Sequence, residues 1–221
     1  FLTSSRKPRA FLKWAGGKAS LADTICKHLP KGDLLVEPFV GAGSIFLRSD
    51  YDNYILNDIN PDLINLYKTV AENVDRYIED AKAFFNGDYN NKEAYYGLRD
   101  EFNQSSDIFT RSVIFLYLNR FGYNGLCRYN SKGIYNVPFG RYVKPYFPER
   151  ELMFFAEKAQ KATFTCVDFE TVFEKLPKDA IVYCDPPYVP ISTTAQFTTY
   201  SKGGFMQEQQ EKLAELSEST S

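Results

Sequence analysis

The segment IVYCDPPYVP, residues 181–190, combines groups that can activate an amine. An apolar run typical of a buried strand ends there in Asp185, two prolines and Tyr188. The Asp185 carboxylate and the Pro186 carbonyl can together accept both N–H bonds of one planar amine, which opposes delocalisation of its lone pair. Pro186 and Pro187 fix φ and preorganise the loop, and Tyr188 offers a face for stacking a base. This segment therefore predicts alkylation of a planar amine.

A second candidate site is the segment EPFVGAGS, residues 37–44, where a predicted strand turns into a helix. Glycines at such a turn let a ligand approach backbone N–H groups near a helix N-terminus. The dinucleotide pattern GxGxxG requires a third glycine where this chain has Phe46, and AGGKAS lacks the Ser or Thr that follows a Walker A lysine. The turn therefore does not favour a dinucleotide or a nucleoside triphosphate. Taken alone, it also fits an ordinary strand-to-helix connection.

Asp58 adds a further feature to this candidate cofactor site. It lies 15 residues beyond Gly43, at the end of the next predicted strand. An acid at that position can bind ribose hydroxyls without any pyrophosphate being implied. The glycine turn and Asp58 together favour a nucleoside cofactor with one ribose and no phosphates.

Charge is distributed unevenly along the chain, whose formal net charge is −2 at pH 7. Residues 111–150 carry seven basic side chains against Glu149 alone, and residues 1–30 carry six against Asp23 alone. Residues 61–110 carry ten acidic side chains against five basic ones, as is typical of a solvated helical surface. The two basic segments are therefore candidates for contact with nucleic acid in spite of the overall charge.

Length and composition indicate one medium-sized globular domain, or a domain with a large insertion, since the chain has 221 residues of which 44% are hydrophobic and 24% charged. It contains no apolar run of about eighteen residues, so we predict no membrane span. The first ten residues hold no apolar segment of signal-peptide length, and we expect a cytoplasmic, DNA-associated location. The four cysteines lack CxxC spacing and are predicted to be reduced, and the single histidine, His28, indicates neither a general base nor a metal site.

Hydrophobic periodicity and turn residues predict alternating helices and strands at both ends of the chain. Pro61 begins a helical region that runs to about Phe121, and residues 122–148, rich in Gly, Asn, Tyr and Pro, predict hairpin and loop. The remaining predicted elements are helices at 19–29, from 45, at 152–162 and at 205–219, and strands at 34–39, 53–60, 163–169 and 180–185.

The order of these elements predicts a parallel α/β domain formed by residues 1–60 and 160–221. An inserted helix-and-loop domain, residues 61–159, interrupts it. In a doubly wound sheet, the last predicted helix would lead into another strand. We therefore expect the polypeptide to continue by roughly 40 to 60 residues, the length of a few more strand-and-helix or hairpin units.

In chain order, the sequence contains the motifs FLKWAGGK, EPFVGAGS, NDIN, LNRFGYNGLCRYN, NVPFGRYVKPYFPE and YCDPPY. Together they resemble the DNA adenine methyltransferases of the Dam family, over residues 7–218. The resemblance implies a Rossmann-like α/β catalytic sheet with an inserted helical and β-hairpin target-recognition domain. It also implies a bacterial or phage-encoded enzyme that uses S-adenosyl-L-methionine to methylate adenine N6 in GATC sites of double-stranded DNA, with base flipping. It indicates no obligatory protein partner.

The resemblance implies roles for individual residues of the cofactor site. Lys18 would pair with the methionine carboxylate of the cofactor, Trp14 would pack against the cofactor, and Asp58 would hold the ribose. Asp168, at the end of a predicted strand, is a candidate to hold the adenine amine of the cofactor. The other implied cofactor contacts are Phe39, Gly41 and Gly43, and the implied catalytic loop is Asp185, Pro186, Pro187 and Tyr188.

On the DNA side, the resemblance assigns Arg128 to a guanine, whose O6 and N7 a planar guanidinium can bind together. The aromatic residues from Tyr123 onward interleave with Arg and Asn, as suits stacking or intercalation. The neighbouring DNA contacts that the resemblance implies are Lys13, Tyr123, Asn124, Leu126, Pro138, Arg141 and Tyr142.

Two other functions are compatible with the sequence. One is methylation of a different planar amine, such as cytosine N4, RNA adenine or a glutamine side chain. The other is a DNA-binding module without catalysis, which the presence of both Asp58 and Asp185 disfavours.

Overall fold

The computed structural model describes residues 8–187 and 207–219, so the predicted stacking residue Tyr188 lies outside the described residues. The described strands form one parallel sheet in the order β3-β2-β1-β4. This arrangement confirms the predicted α/β class with a Rossmann-like sheet. The strands are β1 Leu34–Glu37, β2 Asn53–Asn57, β3 Ala162–Thr165 and β4 Ile181–Val182.

The strands are shorter than predicted, and local features account for three of the ends. β1 stops at Glu37 because Pro38 has no N–H with which to continue the ladder. β2 stops at Asn57, whose side chain donates to carbonyls on the loops after β1 and β3. The prediction that the third strand reaches residue 169 is wrong, since Asp168 caps a helix that begins at Phe169. Of the strand predicted at 180–185, Ile181 and Val182 form β4 and pair with β1, and the Tyr183 N–H donates to the Val36 carbonyl.

Helices alternate with the strands at both ends of the chain and fill its middle. The predicted helical region from Pro61 to Phe121 is confirmed, divided into several helices. Its first helix begins as the sequence predicts, because the Asn60 side chain accepts the N–H groups of Asp62 and Leu63 next to Pro61. The helices are α1 Ala22–His28, α2 Ser44–Arg48, α3 Pro61–Glu72, α4 Val74–Lys82, α5 Lys92–Gln104, α6 Ile108–Phe121, α7 Glu149–Ala159, α8 Phe169–Glu174 and α9 Gln207–Ser219.

α6 is the central helix of the middle region. It contacts α3, α4 and α5, and every residue from Ser112 to Phe121 is buried. A helix that is buried on all sides requires apolar residues all round, which the run VIFLYL provides. Asn119 and Arg120, near its C-terminal end, are buried polar exceptions, and both donate to backbone carbonyls of the N-terminal segment.

The main hydrophobic core joins the sheet to the middle region. α3 and α7 both contact β3, and the cluster of buried side chains runs from Phe11 to Ala159. The division of the chain at residues 60 and 160 stays a prediction. No helix within the described residues has the length and apolar composition that a membrane span requires.

Residues 122–148 contain the predicted hairpin. Antiparallel bridges join Gly122 to Phe139 and Tyr129 to Tyr135. Because these bridges are isolated, hydrogen bonds from α5 supply much of the anchoring. The anchoring side chains are Tyr95 and Arg99, which donate to the Val137 carbonyl, and Asn103, which bonds to both backbone groups of Tyr135.

Candidate active site

A cavity of about 500 Å³ lies where residues that follow all four strands come together. The order β3-β2-β1-β4 reverses between β1 and β4, and such a switch point is where open α/β sheets bind ligands. The structure thus brings together most of the predicted cofactor and catalytic residues, whose roles stay predictions. Those that line the cavity are Trp14, Lys18, Phe39, Gly41, Asp58, Asp168, Asp185, Pro186 and Pro187.

The glycine turn after β1 adopts a conformation that few residues other than glycine tolerate. Gly41 and Gly43 have φ values of 48° and 71°, in the left-handed region. A Cβ atom on Gly41 would lie 3.1 Å from Nε1 of Trp14, so the turn packs closely against that indole. Tyr67, buried beneath the turn in α3, donates its hydroxyl to the Gly41 carbonyl.

Asp58 supports this turn as well as facing the cavity. Its Oδ2 accepts the N–H of Gly41 at 3.1 Å, and its Oδ1 accepts the N–H of Asn60 at 2.9 Å. The expectation that the turn presents its N–H groups to a ligand is therefore wrong for Gly41, whose N–H is already bonded to a carboxylate. Burial raises the pKa of Asp58 to about 6, against the effect of these two hydrogen bonds.

Lys18 and Asp185 form an ion pair inside the cavity. The Lys18 ammonium lies 2.8 Å from Oδ1 and 2.7 Å from Oδ2 of Asp185, and the two residues are 167 positions apart in the chain. Lys18 also donates to the Gly16 carbonyl at 3.1 Å. A carboxylate has about four lone-pair positions, so Asp185 keeps acceptor capacity beside Lys18. The structure therefore places the predicted cofactor lysine directly on the predicted catalytic acid.

Glu37 is a cavity residue to which the sequence analysis assigned no role. It is 2% exposed, and its Oε1 has no hydrogen-bond partner among the described residues. Burial raises the pKa of Glu37 to about 8, and the negative charge of Asp185 acts in the same direction. An acid at the end of the otherwise apolar strand LLVE was the signal that could have identified it.

Asp168 lies on the cavity wall but is not at the end of a strand. Its Oδ1 accepts the Thr171 N–H at 2.8 Å and its Oδ2 accepts the Thr171 hydroxyl at 3.0 Å, so the carboxylate caps α8. The hydrogen bond from the Thr171 N–H lowers the pKa of Asp168. The rings of Phe39 and Phe169, 5.7 Å apart, form an aromatic wall beside it.

Several of the predicted DNA contacts form a cluster at the base of the hairpin. The Lys13 ammonium lies 4.2 Å from the centroid of the Tyr142 ring, and the Asn124 N–H donates to the Tyr142 hydroxyl at 3.0 Å. Tyr123 is 51% exposed, and its N–H donates to the Pro138 carbonyl at 2.8 Å. The structure thus joins five residues that are separated by up to 129 positions in the sequence.

Arg128 is held separately, by a residue that the sequence did not single out. Its Nε donates to Oδ1 of Asn136 at 2.7 Å and its Nη2 donates to the Asn136 carbonyl at 3.1 Å. These two bonds fix the plane of the guanidinium. Arg141 is exposed with a φ of 56°, and Leu126, half-buried, packs against the core.

Comparison with known proteins agrees with this geometry. A sequence model of the D12 class of N6 adenine-specific DNA methyltransferases matches residues 14–221. A DNA adenine methylase of Vibrio cholerae serotype O1 is 57% identical over 215 residues, covering 97% of this chain and 78% of that protein. DNA adenine methylases of Escherichia coli strain K12 and Serratia marcescens are 58% and 56% identical, each covering 96% of this chain and 77% and 78% of their own lengths.

The matched region contains the glycine turn, the hairpin and the Asp185 loop, and so includes the whole described cavity. The resemblance seen in the motifs is therefore confirmed, and the chain belongs to the D12 class of N6 adenine-specific DNA methyltransferases.

Proposed function

We propose that this protein transfers a methyl group from S-adenosyl-L-methionine to N6 of adenine in GATC sites of double-stranded DNA, with the target base flipped out of the duplex. The observation that carries the proposal is the position of Asp185 and Pro186, which follow β4 on the wall of the cavity that contains the predicted cofactor residues. An amine bound there would meet its acceptors and a methyl donor in one cavity. A cytoplasmic location, with access to bacterial DNA, accompanies this proposal.

The chemical groups of the cavity fit S-adenosyl-L-methionine. When bound, this cofactor supplies an electrophilic methyl group on a sulfonium. The unpartnered Oε1 of Glu37 suits an ammonium group, and Asp58, at the end of β2, suits ribose hydroxyls. Lys18 suits a carboxylate, and the rings of Trp14 and Phe39 offer packing surfaces.

The residues of the chain would act on the adenine amine as acceptors. Asp185 and the Pro186 carbonyl would accept the two N6–H bonds and turn the nitrogen lone pair toward the methyl donor. Lys18 balances the charge of Asp185 until the amine is bound. After transfer, the proton lost from N6 can pass to the Asp185 carboxylate.

Cofactor binding is expected to release a proton near pH 7. The pKa of Glu37, raised by burial to about 8, means that this carboxyl is mainly protonated at pH 7 when no ligand is bound. A bound ammonium would favour the ionised form, lower that pKa and release about one proton per cofactor. Titration calorimetry at pH 7 in buffers of different ionisation enthalpy measures the release.

The matched variants are Glu37→Gln and Asp168→Asn. The first should abolish proton release, because the amide cannot ionise. The second should preserve it, since the pKa of Asp168 is lowered and this acid, on the same cavity, is already ionised at pH 7. Equal release by wild type and Glu37→Gln would contradict the assignment.

Arg128→Ala is expected to relax discrimination at one guanine by about 1 to 3 kcal/mol. The reason is that Asn136 holds the guanidinium in a fixed plane, which reduces the entropy lost when it binds a base edge. Affinities for GATC and for duplexes with each base changed in turn measure the effect. Lys144→Ala is the control. Loss of an exposed lysine that contacts only phosphate would weaken the binding of all sequences alike and lower the salt slope by about one. Equal losses on every duplex for Arg128→Ala would show that it only contacts the backbone.

The experiment that tests the proposed function is a methyl-transfer assay with identification of the product. The substrates are a GATC duplex, a scrambled duplex and a single-stranded RNA of the same composition. N6-methyladenine formed only in the GATC duplex supports the proposal. Methylcytosine or labelled RNA would each point to another acceptor, and equal labelling of the scrambled duplex would contradict specificity for GATC. An increase in 2-aminopurine fluorescence at the target position would support base flipping.

A further inference from the structure

The segment of residues 11–14 lies between the candidate cofactor cavity and the predicted DNA contacts. At one end, Trp14 lines the cavity and packs against the turn at Gly41. Immediately before it, the Lys13 ammonium lies over the ring of Tyr142. Two consecutive residues thus contact elements that belong to two different sites.

Asn119, on α6, holds this segment in place. It is 1% exposed, and its Oδ1 accepts the Lys13 N–H at 2.9 Å while its Nδ2 donates to the Lys13 carbonyl at 2.7 Å. The same Nδ2 donates to the Gly125 carbonyl in the hairpin region at 3.3 Å. One buried amide therefore bonds to the N-terminal segment and to the hairpin at once.

The backbone of the hairpin region also touches Lys13 directly. A Cβ atom at Gly125 would lie 2.3 Å from Cβ of Lys13, so there is no space for a side chain between these two segments. Gly125 has a φ of 61°, which glycine adopts easily. A shift of the hairpin at Gly125 would therefore displace Lys13 or break its bonds to Asn119.

We propose that Asn119 is a positioning residue that couples cofactor binding to DNA binding, through its bonds to Lys13 and Gly125. This inference rests on the proposed function. Asn119 is absent from the residues that line the cavity, so it would act through Trp14 on one side and through Lys13 and the hairpin on the other. DNA that orders the hairpin would order Trp14, and cofactor packed on Trp14 would order the DNA contacts in return, as reciprocity of coupling requires.

The chain offers a matched control for this amide. Asn103, on α5, also bonds to both backbone groups of one residue, accepting the Tyr135 N–H at 2.9 Å and donating to the Tyr135 carbonyl at 3.0 Å. Its bonds lie within the middle region, and neither reaches residues 11–14. Loss of Asn103 should therefore loosen the hairpin without affecting communication with the cavity.

The test uses the full chain and a non-reactive analogue, sinefungin. Its dissociation constant is measured by calorimetry with and without a GATC duplex, for wild type, Asn119→Ala, Asn119→Asp and Asn103→Ala. We expect the duplex to tighten analogue binding to wild type and to Asn103→Ala by about tenfold, within the usual range of coupling. In both Asn119 variants, the dissociation constants of the analogue without and with the duplex should differ by less than about twofold. The Asp variant keeps the acceptor for Lys13 N–H and loses only the two donated bonds.

A second readout needs neither cofactor nor catalysis. Trp14 is the only tryptophan of the chain, so protein fluorescence excited selectively at tryptophan reports on Trp14 alone. Addition of the duplex should change this emission in wild type and in Asn103→Ala, and leave it unchanged in folded Asn119 variants. Thermal melting of each variant establishes that it is folded.

The outcomes separate this inference from the proposed function. A wild-type protein that binds neither analogue nor duplex contradicts the proposed function. If wild type binds both, and the duplex changes the dissociation constant of the analogue by less than about twofold, the coupling alone is overturned. That result requires no variant. Coupling that persists in an Asn119 variant, or that Asn103→Ala removes equally, also overturns it.

Discussion

Asp185→Ala is expected to lower the single-turnover rate of methyl transfer by about 100-fold or more, the effect of removing one preorganised contact to the transition state. The substitution removes a carboxylate on the wall of the cavity and leaves the Pro186 carbonyl as the remaining acceptor of the predicted pair. It also removes the carboxylate that pairs with Lys18. Cofactor and DNA affinities should change much less than the rate, because the acceptor is needed mainly while the amine attacks.

Asp185→Asn is expected to be nearly as slow, since its amide can present N–H donors to an amine that requires acceptors. Asp52→Ala is the matched control, because Asp52 is an exposed acid in the α2–β2 loop. Single-turnover rates at saturating GATC duplex and cofactor give the comparison. A near-normal rate in Asp185→Ala would remove Asp185 from the mechanism while leaving the family assignment intact.

Arg111→Met is expected to reduce the free energy of unfolding by about 3 to 5 kcal/mol, the effect of leaving a buried charge without its partner. Nε and Nη2 of Arg111 lie 3.0 and 2.7 Å from Oδ1 of Asp62, which is 8% exposed. The other oxygen of Asp62 accepts the Tyr129 hydroxyl at 2.7 Å. The pair thus joins the start of α3 to α6 and to the hairpin, beside the predicted guanine contact Arg128.

Lys82→Met provides the comparison for this prediction. Lys82 and Glu149 also form an ion pair at 2.7 Å, but their side chains are 58% and 46% exposed. An exposed pair of this kind contributes less than about 1 kcal/mol. Urea denaturation of both variants measures the free energy of unfolding. Equal losses of this free energy would show that burial of Asp62 does not determine how much its ion pair stabilises the protein.

Local sequence determined the features that neighbouring residues can form by themselves. Pro61 and the Asn60 cap start α3 because Oδ1 of Asn60 accepts the N–H groups of the two residues that follow Pro61, all of them close neighbours in the sequence. The apolar strands and the glycine turn are predictable for the same reason, as is the general place of the candidate site after the strands. The motifs in their order also determined the family, which the comparisons confirm.

Tertiary structure alone decided which distant residues meet. The ion pair between Lys18 and Asp185 spans 167 positions, and the bonds between Lys13 and Asn119 span 106. The lack of a partner for Oε1 of Glu37 among the described residues is likewise a result of packing, since the strand LLVE shows an acid at its end but not which side chains reach its carboxyl. Such contacts form only when folding of the core brings the two ends of the intervening chain together. The free energy for this comes from burial of many apolar side chains rather than from the polar residues themselves.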